Sequence, residues 1–68
     1  MAVITDKLII EKNSGIGRIT FNNPDKLNAL SFEMWRDIPV VLNDFSTDPA
    51  IRVVIVSGNG NKAFCTGA

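Results

Sequence analysis

Four β-branched residues in unbroken succession, Val53-Val54-Ile55-Val56, constrain this chain more than any other feature in it. Two substituents on Cβ stiffen χ1, lower helix propensity and fit a pleated surface, so Arg52 to Ser57 reads as a strand. Successive side chains in a strand point to opposite faces, and an apolar residue at every position therefore predicts cover on both of them. A strand of that kind needs a layered fold, with helices against the sheet.

The residues upstream supply those layers. Leu8-Ile9-Ile10 leads through Glu11 and Lys12 to the turn residues Asn13-Ser14-Gly15, and Ile16 to Asn22 follows, which predicts a hairpin. In its second arm Ile19 and Phe21 alternate with Arg18 and Thr20, giving one apolar and one polar face. Asn22-Asn23-Pro24-Asp25 ends the arm, since proline donates nothing to a ladder. From Ser31 the period lengthens. Trp35, Ile38, Leu42 and Phe45 recur at spacings of three and four, which predicts an amphipathic helix over Ser31 to Ser46 with that stripe toward the core. Ser31 suits the N-cap and Glu33 the first turn. Pro39 falls inside the pattern and removes a backbone hydrogen bond, so a kink near Trp35 or a helix in two pieces is expected. Thr47-Asp48-Pro49 stops the helix.

The order is thus β, β, α, β and then a glycine-containing loop, Gly58-Asn59-Gly60-Asn61, an α/β arrangement in which the helix bridges strands of which at least one pair is parallel. Were nothing to follow Ala68, the last strand would present an open edge. The chain has 68 residues, and a unit of that size buries only about 60% of its unfolded surface. No element closes the segment from Ala63 to Ala68, so the end reads as a cut.

Composition excludes several chemistries. Seven basic and seven acidic residues cancel, and no Lys/Arg cluster forms the footprint of a nucleic-acid binder or of an anionic membrane's partner. No window approaches the roughly 20 apolar residues of a membrane span. There is no histidine and a single cysteine, Cys65, so Ser-His-Asp, Cys-His and zinc sites are unavailable and no metal is expected. The lone thiol fits a reducing compartment, and a cytoplasmic location is expected, with an organelle lumen as the alternative. Asp25, Glu33, Asp37, Asp44 and Asp48 fall in turns or on the polar side of the helix and read as a solvated face. Gly58-x-Gly60-x-x-Ala63 mimics the opening of a dinucleotide-binding fingerprint, but nothing helical follows to place its N-terminus at a pyrophosphate.

Two loops remain: Asn22-Asn23-Pro24-Asp25-Lys26-Leu27-Asn28-Ala29-Leu30 before the helix, and Lys62-Ala63-Phe64-Cys65-Thr66-Gly67-Ala68 after the strand. Together they resemble the crotonase (enoyl-CoA hydratase/isomerase) family. Its first loop reads approximately Asn-x-Pro-x-x-x-Asn-Ala-Leu and its second Ala-Phe-x-x-Gly-Ala-Asp, with one helix and one valine-rich strand between them. The resemblance covers essentially the whole chain. Thr66 stands where a smaller residue is common in the family, and either narrows the acyl-CoA slot or hydrogen-bonds within it. Cys65 stands where alanine or serine is also frequent.

The resemblance implies the start of a crotonase-type spiral of ββα turns, from a parent that assembles into homotrimers or hexamers. It implies acyl-CoA chemistry, most simply enoyl-CoA hydration, with enoyl-CoA isomerisation as a related alternative. A non-catalytic relative that binds acyl-CoA or docks on a full-length homologue is the alternative of a different class. By motif position the Ala68 backbone N–H is the first oxyanion-hole donor, and Gly67 permits the close backbone approach of that turn. Lys26, Leu27, Ala29, Thr66, Gly67 and Ala68 are the residues implied to line the coenzyme A thioester, with Lys62 as a further phosphate-attracting charge. Coenzyme A is then part of the substrate, and no permanently bound cofactor is expected. The second oxyanion donor and two glutamates of a hydratase lie outside these residues, so the 68-residue chain alone is expected to be inactive.

Overall fold

A computed structural model of the protein describes residues 3–60 and 63–67. Ser14 and Gly15 take φ of 52° and 83°, the paired positive values that a two-residue hairpin turn needs to match strand twist. They join β1 (Leu8–Asn13) to β2 (Ile16–Phe21). The two run antiparallel with Leu8 opposite Phe21 and Asn13 opposite Ile16. Beyond β2, Pro24–Lys26 forms a single 3₁₀ turn. Helix α1 (Phe32–Thr47) follows, then β3 (Val53–Gly58). β3 lies parallel to β2, with Ile16 opposite Val53 and Phe21 opposite Gly58. The sheet order is β1-β2-β3, and the expected parallel pair is present.

Ser31 caps α1 by accepting the Met34 N–H on its hydroxyl at 3.4 Å, which relieves one of the four unpaired donors of the first turn. The helix continues unbroken through Pro39 and is not in two pieces. Proline deprives the Trp35 carbonyl of its usual donor, and both residues lie on an exposed side of α1.

The core joins Leu8, Ile19 and Phe21 of the sheet to Met34, Val41 and Phe45 of the helix, with Ile4, Ile10, Leu30, Ile38, Ile51 and Cys65 packed around them. The alternation in β2 holds: Gly17, Ile19 and Phe21 are buried while Arg18 and Thr20 are half-buried. The expected helix stripe does not hold as stated. Phe45 is buried and Ile38 packs against the core, but Trp35 is 56% and Leu42 44% exposed. Met34 and Val41 are buried in their place. The two pairs share one spacing and differ by a single residue, about 100° of rotation, so periodicity alone cannot choose between them. Phe45, common to both stripes, is seated by Gly17. A Cβ there would stand 2.8 Å from the Phe45 ring, and its absence leaves room for that ring against β2.

Cover on both faces of β3 is likewise not observed. Val53, Val54 and Val56 are exposed, because α1 spends its buried face on β1 and β2 and β3 has one strand neighbour among the described residues.

Candidate functional site

Since β2 and β3 are parallel, the loops that follow them leave the same, carboxyl end of the sheet, where open α/β sheets bind ligands. Register brings their first residues together. The Asn59 N–H donates to the Phe21 carbonyl at 2.7 Å, and Asn59 Nδ2 donates to Asn22 Oδ1 at 2.8 Å. The Phe21 and Phe64 rings stack 5.2 Å apart.

Asn28 ties the loops at their centre. It is 1% exposed and holds φ at 59°, a left-handed conformation that asparagine tolerates better than most residues. Its Nδ2 donates to the carbonyls of Asn59 at 2.8 Å and Ala63 at 2.9 Å. Its Oδ1 accepts the Asn23 N–H at 2.9 Å. The Asn23 side chain in turn donates to the Ala29 carbonyl at 2.9 Å. A second tie runs from the Leu30 N–H to the Gly67 carbonyl at 2.7 Å. Gly58 permits the close seating, for a Cβ there would collide with the Phe64 carbonyl oxygen and stand 2.8 Å from Asn28 Nδ2.

Of the expected site residues, Lys26 closes the 3₁₀ turn with an exposed side chain, and its carbonyl accepts the Ala29 N–H at 3.0 Å. Leu27 is exposed at a φ of 53°, and Ala29 is half-buried. Thr66 is exposed and its hydroxyl makes no hydrogen bond among the described residues. Gly67 has φ of 107° with open space where a Cβ would lie. Backbone conformation, and not crowding by the chain itself, is what calls for glycine there. Cys65 packs on the core and its sulfur accepts the Gly67 N–H at 3.4 Å. The loops therefore bring Lys26, Leu27, Ala29, Thr66 and Gly67 to one end of the sheet, while Lys62 and the Ala68 donor lie outside the described residues. Residues 63–67 are irregular, without the helix that a dinucleotide fingerprint requires.

Asp37 departs from the solvated face expected of it. It is 4% exposed and meets Arg36 at Nε–Oδ1 2.7 Å and Nη2–Oδ2 2.9 Å, while accepting the Thr5 N–H at 2.8 Å. The Arg36 guanidinium first, and then that N–H, hold its carboxyl down to about 2. An acid that strong is ionised near neutrality and has no proton to give. Asp37 fixes the N-terminal segment to α1. Among the described residues no cluster of His, Cys, Asp and Glu is placed to hold a metal, and no helix is long and apolar enough to cross a membrane. A shallow cleft of about 220 Å³, lined by Glu11, Asn13, Ser14, Ile16 and Arg18, lies at the opposite end of β2.

Asn28 stands in the first loop's motif, and nothing in the sequence marks its role. The signal present was an asparagine in a turn-rich loop. The missing information was its partners, 31 and 35 residues away.

The family profile described as enoyl-CoA hydratase/isomerase matches residues 11–68. The chain is 42% identical over 60 residues to the mitochondrial 3-hydroxyisobutyryl-CoA hydrolase of Gallus gallus, covering 88% of this chain and 16% of that protein. It is 36% identical over 58 residues to the (E)-benzylidenesuccinyl-CoA hydratase of Thauera aromatica, covering 85% of this chain and 23% of the relative. The crystal structure of an enoyl-CoA hydratase/isomerase from Xanthobacter autotrophicus Py2 superposes with a TM-score of 0.87 at 37% identity, over 96% of this chain and 23% of that one. The chain therefore spans less than a quarter of each of these proteins.

Proposed function

This chain belongs to the enoyl-CoA hydratase/isomerase family, the crotonase family, and on that premise we propose that it is the N-terminal part, residues 1–68, of a crotonase-like domain that processes acyl-CoA thioesters as an enoyl-CoA hydratase. The observation that carries the reading is the pair of loops held together at the carboxyl end of β2 and β3 by Asn28 and by the Leu30–Gly67 hydrogen bond. A surface of that kind offers what an acyl-CoA needs: backbone amides in fixed positions and small side chains that let a thioester approach. Lys26, Leu27, Ala29, Thr66 and Gly67 lie along it, with Lys26 as the cation for a phosphate.

In the reaction, water adds to C3 of a 2-enoyl thioester while charge moves onto the thioester oxygen. The Ala68 N–H and a second donor elsewhere in the protein hold that oxyanion, and a proton delivered to C2 completes the addition. Fixed backbone donors suit this because they need no reorganisation as charge develops. The water and the proton are handled by groups outside this chain, so the 68 residues bind and orient but do not turn over. Coenzyme A enters with the substrate, the parent assembles as a homotrimer or hexamer, and the protein works in the cytoplasm.

A second reading, thioester hydrolysis, is favoured by the 42% identity to a 3-hydroxyisobutyryl-CoA hydrolase. Both chemistries need the same oxyanion donor and differ in where water attacks. Incubation of the protein at its native length with a short 2-enoyl-CoA and, separately, with 3-hydroxyisobutyryl-CoA distinguishes them. Loss of enoyl absorbance without free thiol supports the hydratase, release of coenzyme A thiol supports the hydrolase, and neither signal above a buffer blank overturns both.

A further inference from the structure

We infer that Asn28 is a positioning residue for catalysis, which seats the second loop so that the Leu30 N–H grips the peptide unit beginning at the Gly67 carbonyl; the inference rests on the acyl-CoA reading above. That unit carries the proposed oxyanion donor, the N–H of Ala68. A peptide is planar, so whatever fixes its oxygen also restrains its N–H. A carbonyl that accepts a hydrogen bond is polarised by it, and polarisation passed along the unit makes its N–H a better donor. The Leu30 N–H, 2.7 Å from the Gly67 carbonyl oxygen, holds the carbonyl end of that unit, and on the acyl-CoA reading this is what directs and strengthens the donor.

Asn28 anchors the same two loops on the N-terminal side of that bond. Both Nδ2 protons are committed to the second loop, at Asn59 and Ala63, while Oδ1 is committed to the first, at Asn23. The side chain is buried and its inventory of donors is spent, so it has one seating. Gly58, where a Cβ would collide with Phe64 and crowd the Asn28 amide, lets the loops seat closely enough for these bonds to form. Asn28 itself points into the protein and acts only through the segment it holds.

The test is made in the protein at its native length with two substitutions. Asn28→Asp keeps the shape and the Oδ1 acceptor but sets carboxylate oxygen against two carbonyls, and Asn28→Gly keeps the positive φ while removing the clamp. Displacement of a catalytic group by about 1 Å costs about 10²-fold, so kcat falls by about that factor with KM little changed, the pattern of an interaction made in the transition state. The infrared stretch of a bound thioester carbonyl moves back toward its value in water. A folded variant with unaltered kcat, or one whose only loss is in the fraction of active sites with the carbonyl band in place, overturns the inference. If neither variant folds, hydrogen exchange in the unaltered protein decides. A Leu30 amide that is protected, and more so with acyl-CoA bound, supports the inference, and any other result overturns it. Absence of acyl-CoA turnover in the unaltered protein overturns the acyl-CoA reading itself, whereas turnover indifferent to Asn28 overturns this inference alone.

Discussion

The two apolar sides of α1 differ in what they touch. One side carries Met34, Val41 and Phe45 into the sheet, together with the paired Asp37, and the other presents Phe32, Trp35 and Leu42 outward. Both have helical spacing and both have large side chains. The side that faces the sheet is the one whose opposing strand offers a matching relief: Gly17 beneath Phe45, then Ile19 and Phe21. Hydrophobicity makes the helix amphipathic, and shape chooses its face.

Truncation should separate the two sides most sharply. Met34 is fully buried, and Met34→Ala is expected to cost about 2–5 kcal/mol of unfolding free energy in a denaturant titration. Trp35→Ala should stay within about 0.5 kcal/mol, as for an ordinary surface change. Equal losses in the protein at its native length would break the comparison and show that the outer side is also covered.

Gly17→Ala sharpens it from the sheet side. The new methyl meets the buried Phe45 ring, which has nowhere to retreat, and overpacking of this kind costs about 1–3 kcal/mol. Adding Phe45→Leu should return part of the loss; a double variant no more stable than Gly17→Ala alone would sink the claim that this glycine seats the ring.

Asp37 gives a smaller, pH-dependent difference. Its folded value of about 2 lies below the ordinary 3.8, so the folded state favours the carboxylate. The resulting stability is present above about pH 4 and is lost as pH falls toward 2. Asp37→Asn should be less stable at neutral pH and show a flatter acid limb. Glu33 and Asp48, also lowered, by contacts of their own, titrate in both proteins. Parallel acid limbs would show that Asp37 contributes nothing to the docking of Thr5.

Much of this fold was legible in the chain. The hairpin followed from Asn13-Ser14-Gly15 between apolar runs, the helix from its period and Ser31, and the last strand from β-branching. Those signals are local, carried by residues within one turn or one strand of each other. The failures share the opposite property. Whether Trp35 or Met34 is buried depends on which side of α1 meets the sheet, and whether Asp37 is solvated depends on Thr5, 32 residues away. The cover of β3 depends on where α1 lies. At the candidate site the two loops were recognisable as a resembling pair, and their adjacency follows from parallel strands. The lock between them was hidden, because an asparagine in a turn-rich loop looks the same whether its amide faces water or two distant carbonyls.

The pairing of Phe21 with Gly58 turns β3 into a ruler. One residue inserted within Val53–Gly58 would advance the second loop by about 3.3 Å and turn its leading side chain to the other face. Both errors would miss the Asn28 amide. A residue added between Asp48 and Arg52, before the ruled stretch begins, would be absorbed as slack in the connection. Length variation in proteins sharing this arrangement should therefore collect in the connection and at the hairpin tip, leaving the distance from sheet to loop untouched.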